Sequence, residues 1–285
     1  MLFIFTGLPP PIPASKSTRV STDLTTARLE RQLDLKVAGS CAIRDMTVVT
    51  PDTLLVSKST DKCVQLVDSR QGQVLSEVQL QDKPWRICLT DRNTAAVSMG
   101  AKKIQMIQVK DNKLTLGKVL TVSEGIQGIT SSRNSLVVSY YKSPWLEVVS
   151  MDGKVLKQFD KTGKSQHFKT PAFMCTTPDG SILISDPGTN TITKMDESLN
   201  ILQTFTSPLL EVPCGITAVT EDQILVCGGS NNSFLLLQPS TNTMSALLGK
   251  DDRIKFPHSL AYCPDQKMVY IAPITADKIK VYQIT

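Results

Sequence analysis

The chain has 285 residues and a formal net charge of +5 at pH 7, enough length to bury about three quarters of its unfolded surface in a single domain. No run approaches the roughly 18 apolar residues of a membrane span, so a soluble protein without a membrane partner is expected. Seven cysteines, with no Cys-x-x-Cys pair and no regular spacing to histidine, argue against a disulfide framework and a structural zinc site and for a reducing, cytoplasmic compartment.

Residues 1–32 open on a short apolar stretch that lacks the basic region and the small-residue cleavage site of a secretory leader. Pro9, Pro10, Pro11 and Pro13 make the next stretch extended, and 1–32 as a whole reads as a flexible tail rich in Pro, Ser and Thr. A short alternating segment at 33–37 follows.

Six copies of one phrase, three apolar residues closed by a small one, then run through the chain. They are Leu54-Leu55-Val56-Ser57, Ala95-Ala96-Val97-Ser98, Leu136-Val137-Val138-Ser139, Ile182-Leu183-Ile184-Ser185, Ile224-Leu225-Val226-Cys227 and Val269-Tyr270-Ile271-Ala272. Their spacing, about 41 to 46 residues, is that of β-propeller blades. Each phrase follows a turn signal, as at Pro51-Asp52, Pro178-Asp179-Gly180 and Pro264-Asp265, which predicts an antiparallel hairpin. Continuous apolarity over so few residues suits a strand covered on both faces. An alternating strand, expected to turn one side toward water, and a more polar outer strand at 74–80, 155–159 or 199–205 complete each unit.

After the sixth phrase only one strand, 278–284, remains before the end at Thr285. The orphan segment 33–37 is therefore expected to pair with it and close the ring, removing two sheet edges. On this reading a chain starting near Arg28 keeps the closure and one starting near Ser40 loses it. The predicted architecture is all-β: a six-bladed propeller of four-stranded antiparallel blades spanning 33–285.

Pro213-Cys214-Gly215-Ile216, and the run from Pro178-Asp179-Gly180 through the fourth apolar phrase to Asp186 and Asn190-Thr191-Ile192, resemble the NHL repeat. The order of parts is similar to the C-terminal propeller of tripartite-motif proteins. That resemblance implies recruitment of RNA or protein to a ubiquitin-ligase module. No cysteines with RING or B-box spacing occur in this sequence, so the chain is not expected to transfer ubiquitin itself.

In a propeller the loops joining second to third strands share a face with the loops joining one blade to the next. Basic residues outnumber acidic ones in these windows, so the net positive charge gathers on one face. The candidate ligand-binding residues are Arg44, Lys58, Lys62, Arg86, Lys102, Lys103, Lys142, Lys169, Arg253, Lys255 and His258 for charge and polarity. Trp85, Tyr140 and Tyr141 would serve as stacking or apolar anchors. Cations beside rings suit single-stranded RNA and equally an acidic protein segment. DNA and small-molecule substrates are not expected, nor is a cofactor or metal.

Two other functions are open. One is protein–protein interaction alone, in a ubiquitin-ligase-related assembly. The other is calcium-dependent hydrolysis of the lactonase type; six-bladed hydrolases of that type share this architecture and hold calcium with carboxylates and amides at the starts of the inner strands, as a hard cation requires. Those starts read Arg44, Trp85, Gln127, Ala172, Cys214 and His258, none of them a carboxylate, so a non-catalytic platform is preferred.

Overall fold

The structure, a computed structural model, describes residues 24–34, 43–100, 102–140, 143–162, 166–249, 252, 254–274 and 278–285. It begins with β1 (Ala27–Asp34). The first blade is β2 (Ile43–Thr50), β3 (Thr53–Lys58), β4 (Cys63–Asp68) and β5 (Val74–Gln79), and the second is β6 (Pro84–Asp91), β7 (Thr94–Met99), β8 (Lys103–Lys110) and β9 (Lys113–Thr121). The third is β10 (Ile126–Ser132), β11 (Ser135–Tyr140), β12 (Leu146–Ser150) and β13 (Val155–Phe159), and the fourth is β14 (Phe173–Thr176), β15 (Ile182–Asp186), β16 (Thr191–Met195) and β17 (Ile201–Phe205). The fifth is β18 (Pro213–Thr220), β19 (Gln223–Gly228), β20 (Ser233–Gln238) and β21 (Thr243–Leu248), and the sixth holds β22 (Pro257–Cys263), β23 (Met268–Pro273) and β24 (Lys278–Ile284).

Every blade is a four-stranded antiparallel sheet, and β1 completes the sixth in the order β1-β24-β23-β22. The inner strands pack in succession, β2 beside β6, on to β10, β14, β18 and β22, and from β22 back to β2. The fold is thus a closed six-bladed propeller. Among the described residues no helix is long and apolar enough to cross a membrane.

The six apolar phrases are the second strands, and their apolar residues are almost wholly buried because a neighbouring blade covers each face. Third strands were expected to turn one side toward water, yet Cys63–Asp68 is buried along nearly its whole length. Their polar residues find partners on the outer strand instead: Gln65 Nε2 donates to Glu77 Oε2 at 2.6 Å, and Gln105 Nε2 to the Gly117 carbonyl at 2.8 Å. Glu147, fully buried, accepts from Ser123 Oγ, Gln158 Nε2 and the Tyr140 hydroxyl. Alternation here encodes a polar seam inside the blade, because a buried polar group is tolerated when it is hydrogen-bonded.

The closing strand lies in the predicted blade but several residues earlier than 33–37, which removes 27–32 from the expected tail. Its register runs from Ala27↔Ile284 to Asp34↔Lys278, and residues 35–37 lie outside the described ones. Leu24 and Leu33 are buried against the ring. The Thr25 and Thr26 amides donate to the Thr285 carbonyl at 2.9 and 3.1 Å. An alternating apolar pattern marks only Leu33 to Val37; the rest of β1 is polar because it is an edge strand with one open side.

A channel runs down the axis, holding a cavity of about 230 Å³ lined by the inner strands of all six blades.

Candidate functional site: the channel mouth and its rim

Five of the six inner strands shift register within their first few residues, at Ile43/Asp45, Pro84/Ile87, Ile126/Gly128, Pro213/Ile216 and Pro257/Ser259. Such a bulge leaves residues out of the ladder and re-aims their side chains. The residues so released are Arg44, Trp85, Arg86, Gln127, Cys214, Gly215 and His258, one set from each of five blades around the mouth of the channel. The strand starts Ile43, Pro84 and Pro257 pair with Lys58, Met99 and Pro273, so the mouth opens on the face that carries the loops between second and third strands. Gly215 lets two blades meet there, since a β-carbon on it would sit 2.9 Å from the His258 carbonyl.

Arg86 bridges the mouth. It is 3% exposed; its Nη1 donates to the Arg44 carbonyl at 2.8 Å and its Nε to the Ala172 carbonyl at 3.3 Å. Its guanidinium carbon lies 3.5 Å from the centre of the Phe173 ring, whose other neighbour is His258, edge-on at 4.9 Å. Burial pulls the Arg86 guanidinium down to about 10, with Asp45 opposing, so it stays cationic at neutral pH. Asp45 lies beneath, its Oδ2 accepting from the Ile87 amide at 3.1 Å and its Oδ1 from Ser259 Oγ at 3.0 Å. One carboxylate thereby ties blades one, two and six; burial raises its pKa while Arg86 and the hydrogen bonds hold it down.

His258 is buried, and desolvation, reinforced by Arg86 and Arg44, holds its pKa well below the usual imidazole range. It is neutral. Burial also raises Cys214 to about 11 and Cys175 to about 12, so these channel residues are thiols rather than thiolates. Arg44 is half-buried with its guanidinium 5.1 Å over the Trp85 ring. Three buried side-chain atoms at these positions have no hydrogen-bond partner: Arg44 Nε, Gln127 Oε1 and His258 Nδ1.

Around the mouth Lys62, Lys102, Lys169 and Lys255 are exposed and Lys103 is half-buried. Lys62 (φ 51°) and Lys102 (φ 52°) hold left-handed backbone at the position occupied by Asn190 (φ 55°) and Asn232 (φ 55°) in blades four and five. Each asparagine clamps the following inter-blade loop, Asn190 Oδ1 accepting from the Val212 amide at 2.9 Å and Asn232 Oδ1 from the Phe256 amide at 2.7 Å. In blades one and two the lysines project into solvent instead. Asp186, an acid counted with the loop face, is buried and spent on backbone, accepting from the Lys169, Thr170 and Gly188 amides at 2.6, 2.9 and 2.8 Å.

The structure relocates several candidates. Lys58 is fully buried, 3.0 Å from Asp61, so it is no surface cation. Tyr140 is 1% exposed, its ring tilted against that of Trp145 at 4.5 Å and its hydroxyl bound to Glu147, so it offers no free ring; following directly on an apolar phrase placed it in the core. Arg86 and His258 belong to the channel rather than to the exposed rim. Tyr141, Lys142 and Arg253 lie outside the described residues. Sequence reasoning passed over Asp45, Phe173 and Ser259, and treated Gln127 only as a non-carboxylate. Their signal is the bulge, which no residue pattern announces.

Among the described residues no group of three or more His, Cys, Asp or Glu could hold a metal ion. No protein-family model matches the chain, and no curated protein sequence does either. Solved structures share its fold. A structural genomics protein of unknown function from Bacteroides thetaiotaomicron aligns over 90% of this chain and 72% of its own with a TM-score of 0.72 at 14% identity. Virginiamycin B lyase from Staphylococcus aureus aligns over 91% and 100%, with a TM-score of 0.67 at 16% identity. The Cps50 (Swd1) propeller domain from Myceliophteria thermophila aligns over 85% and 83%, with a TM-score of 0.64 at 11% identity. At these identities the likeness is one of fold.

Proposed function

We propose that this six-bladed propeller is a non-catalytic binding platform that takes an acidic protein segment on its basic loop face. One observation carries the reading: the rim presents exposed cations, Lys62, Lys102, Lys169 and Lys255, while Tyr140, Trp145 and Phe168 are buried and Phe256 is the one largely exposed ring of this face among the described residues. A face offering charge with few free rings suits carboxylates better than unpaired bases, which need stacking surfaces. The channel supports the non-catalytic part, since His258 lacks a carboxylate to orient it and the neighbouring thiols are protonated. The cysteines of the described residues are free rather than disulfide-bonded, which fits a reducing cytoplasm. The NHL-like motif of the fourth blade favours a tripartite-motif-like recruiting role, with any ligase activity on another chain.

The test is binding of poly-glutamate and poly-uridylate across a salt series, for the native chain and a Lys102→Glu, Lys103→Glu variant. Poly-glutamate should bind more tightly at equal ionic strength, and the variant should bind it more weakly with a shallower salt slope. Tighter poly-uridylate binding that quenches Trp85 would replace the acidic segment with RNA.

A further inference from the structure

We propose that the channel mouth is a binding site for a single carboxylate group, held by Arg44, His258 and Gln127 beside the Arg86 guanidinium. This concerns buried groups and does not depend on the exposed lysines that carry the platform reading.

The bulges deliver Arg44, Gln127 and His258 from three different blades, and each brings a buried polar atom that has no partner: Nε, Oε1 and Nδ1. Buried polar groups are nearly always paired, and leaving one unpaired costs free energy that a ligand can return. Other unpartnered buried atoms lie elsewhere among the described residues, but these three stand at one equivalent position of three blades. Arg44 Nε–H is a donor; neutral imidazole can place its hydrogen on Nδ1; and a half-turn of the Gln127 amide replaces its oxygen with an N–H donor. All three can therefore donate to an acceptor with two oxygens and about four lone-pair sites, which describes a carboxylate.

Charge selects the same ligand. Arg44 and Arg86 bring two positive charges, and the Asp45 oxygens are already taken by Ile87 and Ser259. With His258 neutral, the mouth stays positive whichever form Asp45 takes, which favours an anion. Arg86 is fixed by two backbone carbonyls and the Phe173 face, so it supplies field without moving. Arg44, stacked on Trp85, keeps its planar fork held in one orientation, and such a fork suits planar two-oxygen acceptors. The carboxylate can come from an acidic side chain of a docked protein segment or from a free small carboxylate.

His258 and His167 are the only two histidines in the chain, so the ring resonances of labelled histidine report the mouth directly, with His167 as the internal control. Propionate should shift the His258 signals saturably and leave His167 in place. Arg44→Met should weaken that binding at least tenfold; if this variant does not fold, Arg44→Lys, which keeps the charge but removes the Nε–H, should weaken it as well. Poly-glutamate moving the same signals identifies a partner's side chain as the source, and propionate acting alone identifies a free carboxylate; either outcome supports the site. The site is overturned if neither probe moves His258, if sulfate does so with equal affinity, or if the Arg44 variants bind as the native chain does. Poly-glutamate that binds by calorimetry while neither probe moves His258 would remove the mouth site and leave the lysine platform standing.

Discussion

A chain that begins at Arg28 loses Leu24 and the clasp between Thr25, Thr26 and Thr285, but keeps most of β1. Burial of a leucine contributes about 1.5–3 kcal/mol, and Leu24 is 6% exposed. The backbone bonds lost, Thr25 N and Thr26 N to Thr285 O and Thr285 N to Thr26 O at 2.9, 3.1 and 3.2 Å, lie near the surface. They belong at the low end of the range of about 0.5–1.5 kcal/mol each. The expected loss is therefore about 3 kcal/mol, a large part of a typical total of about 5–15 kcal/mol. A chain beginning at Ser40 loses in addition Leu33 and the whole ladder from Ala27↔Ile284 to Asp34↔Lys278, and bares the edge of β24 to other copies. Urea denaturation followed by near-ultraviolet circular dichroism, with size-exclusion chromatography, should rank the three starts. The chain from Leu24 should match the full chain, the one from Arg28 should unfold at lower urea, and the one from Ser40 should aggregate or fail to fold. Equal midpoints for Leu24 and Ser40 starts would refute the claim that β1 closes the ring.

Asp186→Ala strands the Lys169, Thr170 and Gly188 amides and should lower stability by about 3 kcal/mol in urea titration. Glu147→Ala leaves Tyr140, Ser123 and Gln158 without their acceptor and should lower stability by a comparable amount, with a change in tryptophan emission because Tyr140 packs on Trp145. Lys62→Asn and Lys102→Asn place a residue that tolerates left-handed backbone where lysine now sits; thermal stability should rise by about 1 kcal/mol while poly-glutamate affinity falls. His258 has a folded-state pKa depressed below the unfolded value of about 6.5, so the unfolded chain takes up its proton first. Its contribution is intact above about pH 6.5 and declines as pH falls below it, and stability measured between pH 7.5 and 5 should lose part of that slope in His258→Gln.

The blades were legible in the amino-acid sequence because the middle of a second strand squeezed between two neighbours must be apolar, and only a few residue types satisfy that. Turn chemistry then located the hairpins; Val155–Phe159 and Lys278–Ile284 stand where the pattern put them. β1 was harder to place, since an edge strand needs only one apolar face and five of its eight residues are polar. The loop face could be read from topology, but not which of its side chains reach water: Lys58 and Tyr140 sit at the buried ends of β3 and β11. The mouth was hidden for a different reason. A bulge is a matter of register between two strands, and Arg44, Gln127 and His258 carry no local mark that they have slipped out of it.

The clasp between Thr26 and Thr285 also sets how the ring answers to force. β1 and β24 are antiparallel, and the two ends of the folded chain lie side by side at the Ala27↔Ile284 rung. A load pulling those ends apart is borne by a single rung at a time, so the pair opens like a zipper instead of shearing all its rungs together. Under tension the sixth blade therefore gives way first and at low load, while the other five, which the load reaches only through it, stay assembled.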